Sequence, residues 1–110
     1  MKQAEIWLAD LEPVKGSEQG KTRPVLIISG NVMNNNFPIV ITCPISSAIK
    51  NYAGCVTILK NKTNGLTIDS EVICFQVRSV SKERLIKKIG TITKQQLESI
   101  IVALNDTLTL

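Results

Sequence analysis

The sequence predicts a mainly β domain of the α+β kind: a small, strongly bent antiparallel sheet or partial barrel, with one short helix and a closing C-terminal amphipathic helix. Three observations predict it. Only 4% of the 110 residues are aromatic, so the core must be aliphatic, and a palette of Ile, Val and Leu favours strands. Short aliphatic runs recur along the chain, each bounded by Gly, Pro or Asn. A long helical period appears only at the C-terminus. The length suits a single domain, 1–110, that buries an apolar core without disulfide staples.

The elements follow in order. Glu5 to Asp10 (EIWLAD) reads as the first strand, and Glu12 to Pro24, rich in turn formers and charge, as a long loop. Val25 to Ser29 (VLIIS) is a continuous aliphatic run, short enough for a buried strand. Gly30 to Pro38, with Asn31, Asn34, Asn35 and Asn36, reads as a turn-rich connection. Ile39 to Cys43 (IVITC) is a second buried strand ended by Pro44, and Ile45 to Gly54 a polar loop. Cys55 to Leu59 is a strand, and Asn64-Gly65 marks a tight turn. The stretch from Leu66 to Val80 reads as one bent strand or as two. Ser81 caps a short helical turn over Lys82 to Leu85, and Ile86 to Ile92 returns to strand-like alternation around Gly90. Thr93 with Gln96 three residues later forms a capping box, after which Leu97, Ile100, Ile101, Leu104 and Leu108 recur at helical spacing.

The net charge is +4 and the sequence pI about 9.1, compatible with an anionic partner such as nucleic acid. Three cysteines, Cys43, Cys55 and Cys74, lie in apolar runs without a CxxC pair. They read as buried free thiols of a reducing compartment. The N-terminal MKQAEIWLAD lacks the apolar core of a signal peptide, and nothing approaches a membrane span, so the expectation is a soluble, cytoplasmic protein with no membrane contact. The chain has no histidine. That excludes Ser-His-Asp and Cys-His catalysis, the paired-histidine logic of many ribonucleases, and a histidine-completed zinc site.

Chemistry therefore has to come from other side chains, and the segment Gly16 to Pro24 (GSEQGKTRP) concentrates them. Gly16 and Gly20 permit tight turns and close approach of a ligand to backbone. Arg23 precedes Pro24, which biases its backbone to extended geometry at the entrance to VLIIS. A guanidinium held at the edge of a rigid sheet suits bidentate phosphate binding. A solvated surface loop is the plainer alternative. Ser46 and Ser47, just beyond the strand IVITC, are the second candidates, with ordinary turn capping as their alternative.

Taken in order, EIWLADLEP, GSEQGKTRPVLIIS, ITCPISS and FQVRSVSKERL resemble the MazF/PemK toxins of bacterial toxin–antitoxin systems, and the resemblance covers nearly the whole chain. It implies an SH3-like partial barrel. It also implies a metal-independent, cofactor-free, sequence-specific endoribonuclease acting on single-stranded RNA. The RNA's own 2′-OH attacks phosphorus and leaves 2′,3′-cyclic phosphate and 5′-OH ends. Arg23 matches the family's catalytic arginine and is assigned transition-state stabilisation, and Ser46 matches a catalytic hydroxyl. Ser17, Glu18, Gln19, Lys21 and Thr22 match the loop lining the RNA site. Ser47, Gln76 and Arg78 are further candidate RNA-binding residues. The implied partners are a second copy of the chain and a cognate antitoxin whose acidic C-terminal segment lies in the RNA groove.

Two departures stand out. Ser17 replaces a histidine found in some members, and Phe75 replaces an acidic residue found in many. Phe75 is then either a base-stacking side chain or part of the core, and Glu18 is the candidate general base. Two competing readings remain: a non-catalytic toxin of the same fold that binds a protein, as gyrase poisons do, and a relative that binds RNA without cutting it.

Overall fold

The computed structural model describes residues 1–11 and 22–109. Seven strands and two helices follow in order: β1 (Glu5–Asp10), β2 (Thr22–Ile27), α1 (Asn31–Asn36), β3 (Ile39–Ser46), β4 (Cys55–Ile58), β5 (Ser70–Ile73), β6 (Arg78–Ser81), β7 (Leu85–Thr91) and α2 (Lys94–Thr107). All strand pairs are antiparallel, in the order β4-β5-β3-β2-β1-β7, with β6 also pairing β3. The mainly β architecture and both terminal elements agree with the sequence expectation.

β3 organises the sheet. One edge pairs β2, while the other pairs β6 along Ile39–Thr42 and β5 at Ile45–Ser46. Between β5 and β6 the chain makes a 3₁₀ turn over Cys74–Gln76, so the segment left open by the sequence is two strands around a kink. The turn falls opposite the gap between the two ladders. Pro44 lies in that gap, where no ladder bond is required of it, and this is why β3 continues through Pro44 to Ser46 instead of ending before it. The Gly30–Pro38 connection is also more regular than expected, since Asn31–Asn36 forms α1. Buried Asn34 holds it by donating to the Ser29 carbonyl at 2.8 Å, and Ser29 Oγ in turn accepts from Ile41 N at 3.0 Å.

The apolar residues divide into two clusters. In β2 and its continuation, Leu26 and Ile28 join Ile6, Cys43, Ile45, Val72 and Ile100, whereas Val25 and Ile27 join Ala9, Val40, Val80 and Leu85. Burial on both faces explains why VLIIS is unbroken rather than alternating. α2 caps the first cluster with buried Ile100 and half-buried Leu97 and Leu104. Its capping box is formed, with Thr93 Oγ1 accepting from Gln96 N at 3.0 Å and Gln96 Oε1 from Thr93 N at 2.9 Å. Leu108 leaves the apolar face and is exposed. All three thiols are unpaired, with Cys43 and Cys74 buried and Cys55 half-buried.

The open sheet is drawn round by contact between its ends. The loop after β4 lies against β7, where Thr91 N donates to the Thr63 carbonyl at 3.0 Å. Gly65, with φ +70°, lies against Ile89, and Gly90 lies against the backbone of Thr63 and Asn64. Buried Asn64 fixes this loop by donating to the Leu59 carbonyl at 2.9 Å and accepting from the N–H groups of Asn61 and Leu66.

Glu5 fastens β1 to β7. Burial raises its pKa, but hydrogen bonds from the Trp7 indole and the Lys2 N–H, together with Lys88 at 3.1 Å, outweigh burial and hold it below its ordinary 4.5. A carboxylate with a depressed folded-state pKa stabilises the fold above its unfolded value and loses that contribution as pH falls through the folded one. Denaturant titrations from neutral pH down through the carboxylate range should therefore show a steeper loss of stability for the parent than for Glu5→Gln. Parallel curves would remove this role.

Candidate functional site: a cationic pocket across three strands

The start of β2, the middle of β7, the end of β3 and the loop before β5 enclose a cavity of about 640 Å³. Its walls include Thr22, Arg23, Ser46, Ser47, Thr67, Ser70 and Lys87 over an apolar floor of Leu8, Ile45, Leu66 and Ile89. Two segments far apart in sequence, both singled out there, thus form one pocket. Strand register explains the meeting. β2 and β3 pair as Ile27↔Thr42, Leu26↔Cys43 and Val25↔Pro44, and Arg23 and Ser46 each stand two residues beyond the last of these pairs, both in the wall of the cavity.

Arg23 lies in β2 rather than in the preceding loop, paired with Ala9 of β1 on its other side. Its side chain is exposed, and among the described residues it has no ion pair or hydrogen bond. A cation without a protein partner beside an open cavity is available to an anion. Ser46 is half-buried, and its Oγ accepts from Ala48 N at 3.1 Å, which fixes the oxygen and leaves its proton to donate.

A second cavity of about 160 Å³ shares Ser46 and is lined by Lys50, Tyr52, Cys55, Glu71, Phe75 and Gln76 among others. Gln76 therefore stands beside Ser46 but across it from Arg23. Phe75 is 44% exposed and lies against Gly54, outside the apolar core. Arg78 lines neither cavity; it pairs with Thr42 at the far half of β3, where its carbonyl accepts from Thr42 Oγ1 at 3.3 Å. Ser17, Glu18, Gln19 and Lys21 lie outside the described residues.

Two residues of this region escaped sequence reasoning. Lys87 of β7 lines the Arg23 cavity, whereas adjacent Lys88 pairs with Glu5, as period-two alternation requires of neighbours in a strand. The doublet Lys87-Lys88 was visible, but not which lysine faced the site. Glu71 is buried, with 2% of its surface exposed, and stands in register directly opposite Ser46. Its place directly before the apolar run Val72 to Phe75 was its sole signal. No group of His, Cys, Asp or Glu among the described residues has the spacing of a metal site.

Comparison with known proteins gives one answer. A family model described as the PemK-like, MazF-like toxin of type II toxin-antitoxin systems matches residues 2–108. Endoribonuclease EndoA of Bacillus subtilis is 32% identical, with 100% of this chain and 96% of the relative covered. Endoribonuclease MazF of Staphylococcus saprophyticus is 35% identical, with 91% and 84% covered. The fold matches that of the MazE–MazF crystal structure (Form-II) from Deinococcus radiodurans with a TM-score of 0.84 at 23% identity, covering 98% of this chain and 95% of that one. The chain belongs to the PemK-like, MazF-like family of type II toxins.

Proposed function

We propose that the chain is the toxin of a type II toxin–antitoxin pair and acts as a sequence-specific endoribonuclease on single-stranded RNA. The observation that carries this reading is the convergence of Arg23 and Ser46 on one open cavity, in a chain whose relatives are named endoribonucleases. The reaction asks little of the protein, because the RNA supplies its own nucleophile. The 2′-oxygen attacks the adjacent phosphorus, the 5′-oxygen leaves, and the ends are a 2′,3′-cyclic phosphate and a 5′-OH. Charge accumulates on the non-bridging oxygens, and the Arg23 guanidinium is the donor suited to hold them. Ser46 orients the reacting phosphate or passes a proton. No step calls for a metal or cofactor.

Thr22 and Ser47 flank this pair and are assigned to RNA binding, with Gln76 on the far side of Ser46 and Ser17, Glu18, Gln19 and Lys21 on the preceding segment. Arg78 belongs to this reading only if the RNA extends along β3. Lys87 adds a second cation for a neighbouring phosphate. In an Arg23→Ala background, where slow cutting leaves the RNA intact during the measurement, Lys87→Ala should weaken RNA binding and reduce the slope of log affinity against log salt by about 0.7, the release expected for one phosphate of a single strand. An unchanged slope would remove Lys87 from the RNA path.

The partners proposed are a second copy of the chain, with RNA along the groove between copies, and an antitoxin whose acidic C-terminal segment competes for that groove. The net charge of +4 suits both anionic ligands. No helix among the described residues is long and apolar enough to cross a membrane. Action in the cytoplasm fits the three unpaired thiols.

Parallel assays separate this reading from a gyrase poison. The expected result is cleaved single-stranded RNA with gyrase supercoiling unaffected; intact RNA with supercoiling inhibited would overturn it. RNA bound but uncut would point to the inactive relative.

A further inference from the structure

We propose that Glu71 is the proton-accepting and positioning carboxylate of the site, acting through Ser46. It stands across the β3–β5 register from Ser46. It closes on the hydroxyl when RNA binds, as catalytic hydrogen bonds that are long in a free enzyme do, and receives its proton as that hydroxyl takes the proton of the attacking 2′-OH. The inference rests on the ribonuclease reading above.

Three observations carry it. Ser46↔Glu71 is a register pair of β3 and β5, and Arg23, on the strand at the other edge of β3, shares a cavity with Ser46. Arg23, Ser46 and Glu71 therefore form a row across three adjacent strands, cation and carboxylate flanking the hydroxyl. Among the described residues lining either cavity, Glu71 is the one carboxylate. And it is buried without a cation: no Lys or Arg among the described residues lies within ion-pair distance. Lys50 N and Asn51 N, each at 3.3 Å, and the Cys55 thiol donate to it, which leaves one of a carboxylate's roughly four acceptor sites for the Ser46 hydroxyl. Burying a carboxylate on neutral donors costs stability that an apolar residue would not. The titratable groups facing it are Cys55 from β4 and, from the β3–β4 connection, Lys50 and Tyr52.

The step balances. The 2′-OH proton passes to Ser46 Oγ while the Ser46 proton passes to a Glu71 carboxylate oxygen. The 2′-oxygen bonds to phosphorus and the P–O5′ bond breaks. The 5′-oxygen leaves with its electron pair and takes a proton from water. The hydroxide so formed removes the proton from Glu71 and restores the site.

Glu71→Gln separates this role from simple anchoring of the β3–β4 connection, because the amide oxygen still accepts from Lys50 N and Asn51 N. Expected is a fall in single-turnover kcat of about 100-fold, the scale of a lost general base. KM should change little, and the parent's decline in rate toward acid pH should disappear. In a Ser46→Ala background Glu71→Gln should cost nothing further, since the two residues act as one unit. Glu71→Asp, which keeps the charge, should retain the acid-side decline. A Gln variant with parental rate and pH profile overturns the proposal. So does an equal loss in the Ser46→Ala background, or an Asp variant as slow and as insensitive to pH as Gln. A parent protein that cuts no RNA overturns the reading beneath it. An active parent, a dead Arg23→Ala and a fully active Glu71→Gln overturn the role of Glu71 alone.

Discussion

Arg23→Ala is expected to lower kcat/KM for cleavage of single-stranded RNA by about 10²–10³-fold, the loss seen when one pre-organised donor to a developing oxyanion is removed. Arg23 is exposed and without a partner among the described residues, so removing it disturbs no described packing or ion pair. The thermal midpoint should stay at the parental value while activity collapses. Arg23→Lys should recover only part of the activity, because an ammonium restores the charge but not the two-pronged geometry that fits a phosphate. Single-turnover kinetics on a fixed RNA oligomer, with a melting curve on the same sample, checks both statements. Parental rates in the Ala variant would remove Arg23 from the chemistry.

Gly90→Ala is expected to have the largest effect on stability. A Cβ there would sit 2.4 Å from the Thr63 carbonyl oxygen and from the Asn64 carbonyl carbon. These are backbone atoms of a loop that Asn64 pins in place, so no flexible side chain can yield. The variant has to separate the loop from β7, losing the Thr91–Thr63 hydrogen bond that draws the ends of the sheet together. A loss of about 3 kcal/mol or more is expected, at the upper range for overpacking. That is a large share of the ~5–15 kcal/mol available to such a domain. Urea titration reads it directly. Because Gly65, Leu66, Thr67 and Ile68 of the same loop line the Arg23 cavity, activity should fall together with stability. A stable Gly90→Ala would mean that the loop does not close against β7 as described.

What could be read from the sequence was what local chemistry dictates. EIWLAD is a strand because its apolar residues and its turn-rich exit leave little alternative, and α2 begins at Thr93 because Thr93 and Gln96 cap one another. Elements decided by partners were misread. Pro44 looked like the end of a strand, and is tolerated inside β3 only because the neighbouring edge is interrupted opposite Cys74–Gln76. The asparagine-rich stretch looked like a turn, and is helical because Asn34 reaches back to Ser29. The site divides in the same way. Arg23 and Ser46 stood out as candidates in their motifs, but their shared cavity and the places of Lys87 and Glu71 beside it follow from how the strands pair, which no single strand encodes. Arg78, in a motif that looked equally strong, lies in β6, paired with Thr42 of β3 away from both cavities.

A fold that cuts RNA with the RNA's own 2′-OH, at a site built around Arg23, leaves a chemical signature on its products. The most direct measurement is the chemistry of the new ends after single-stranded RNA is incubated with purified protein in excess EDTA. Expected are 2′,3′-cyclic phosphate and 5′-OH ends at a recurrent short sequence, formed about 10²–10³-fold more slowly with Arg23→Ala. Intact RNA, 5′-phosphate ends, or cleavage abolished by EDTA would contradict it.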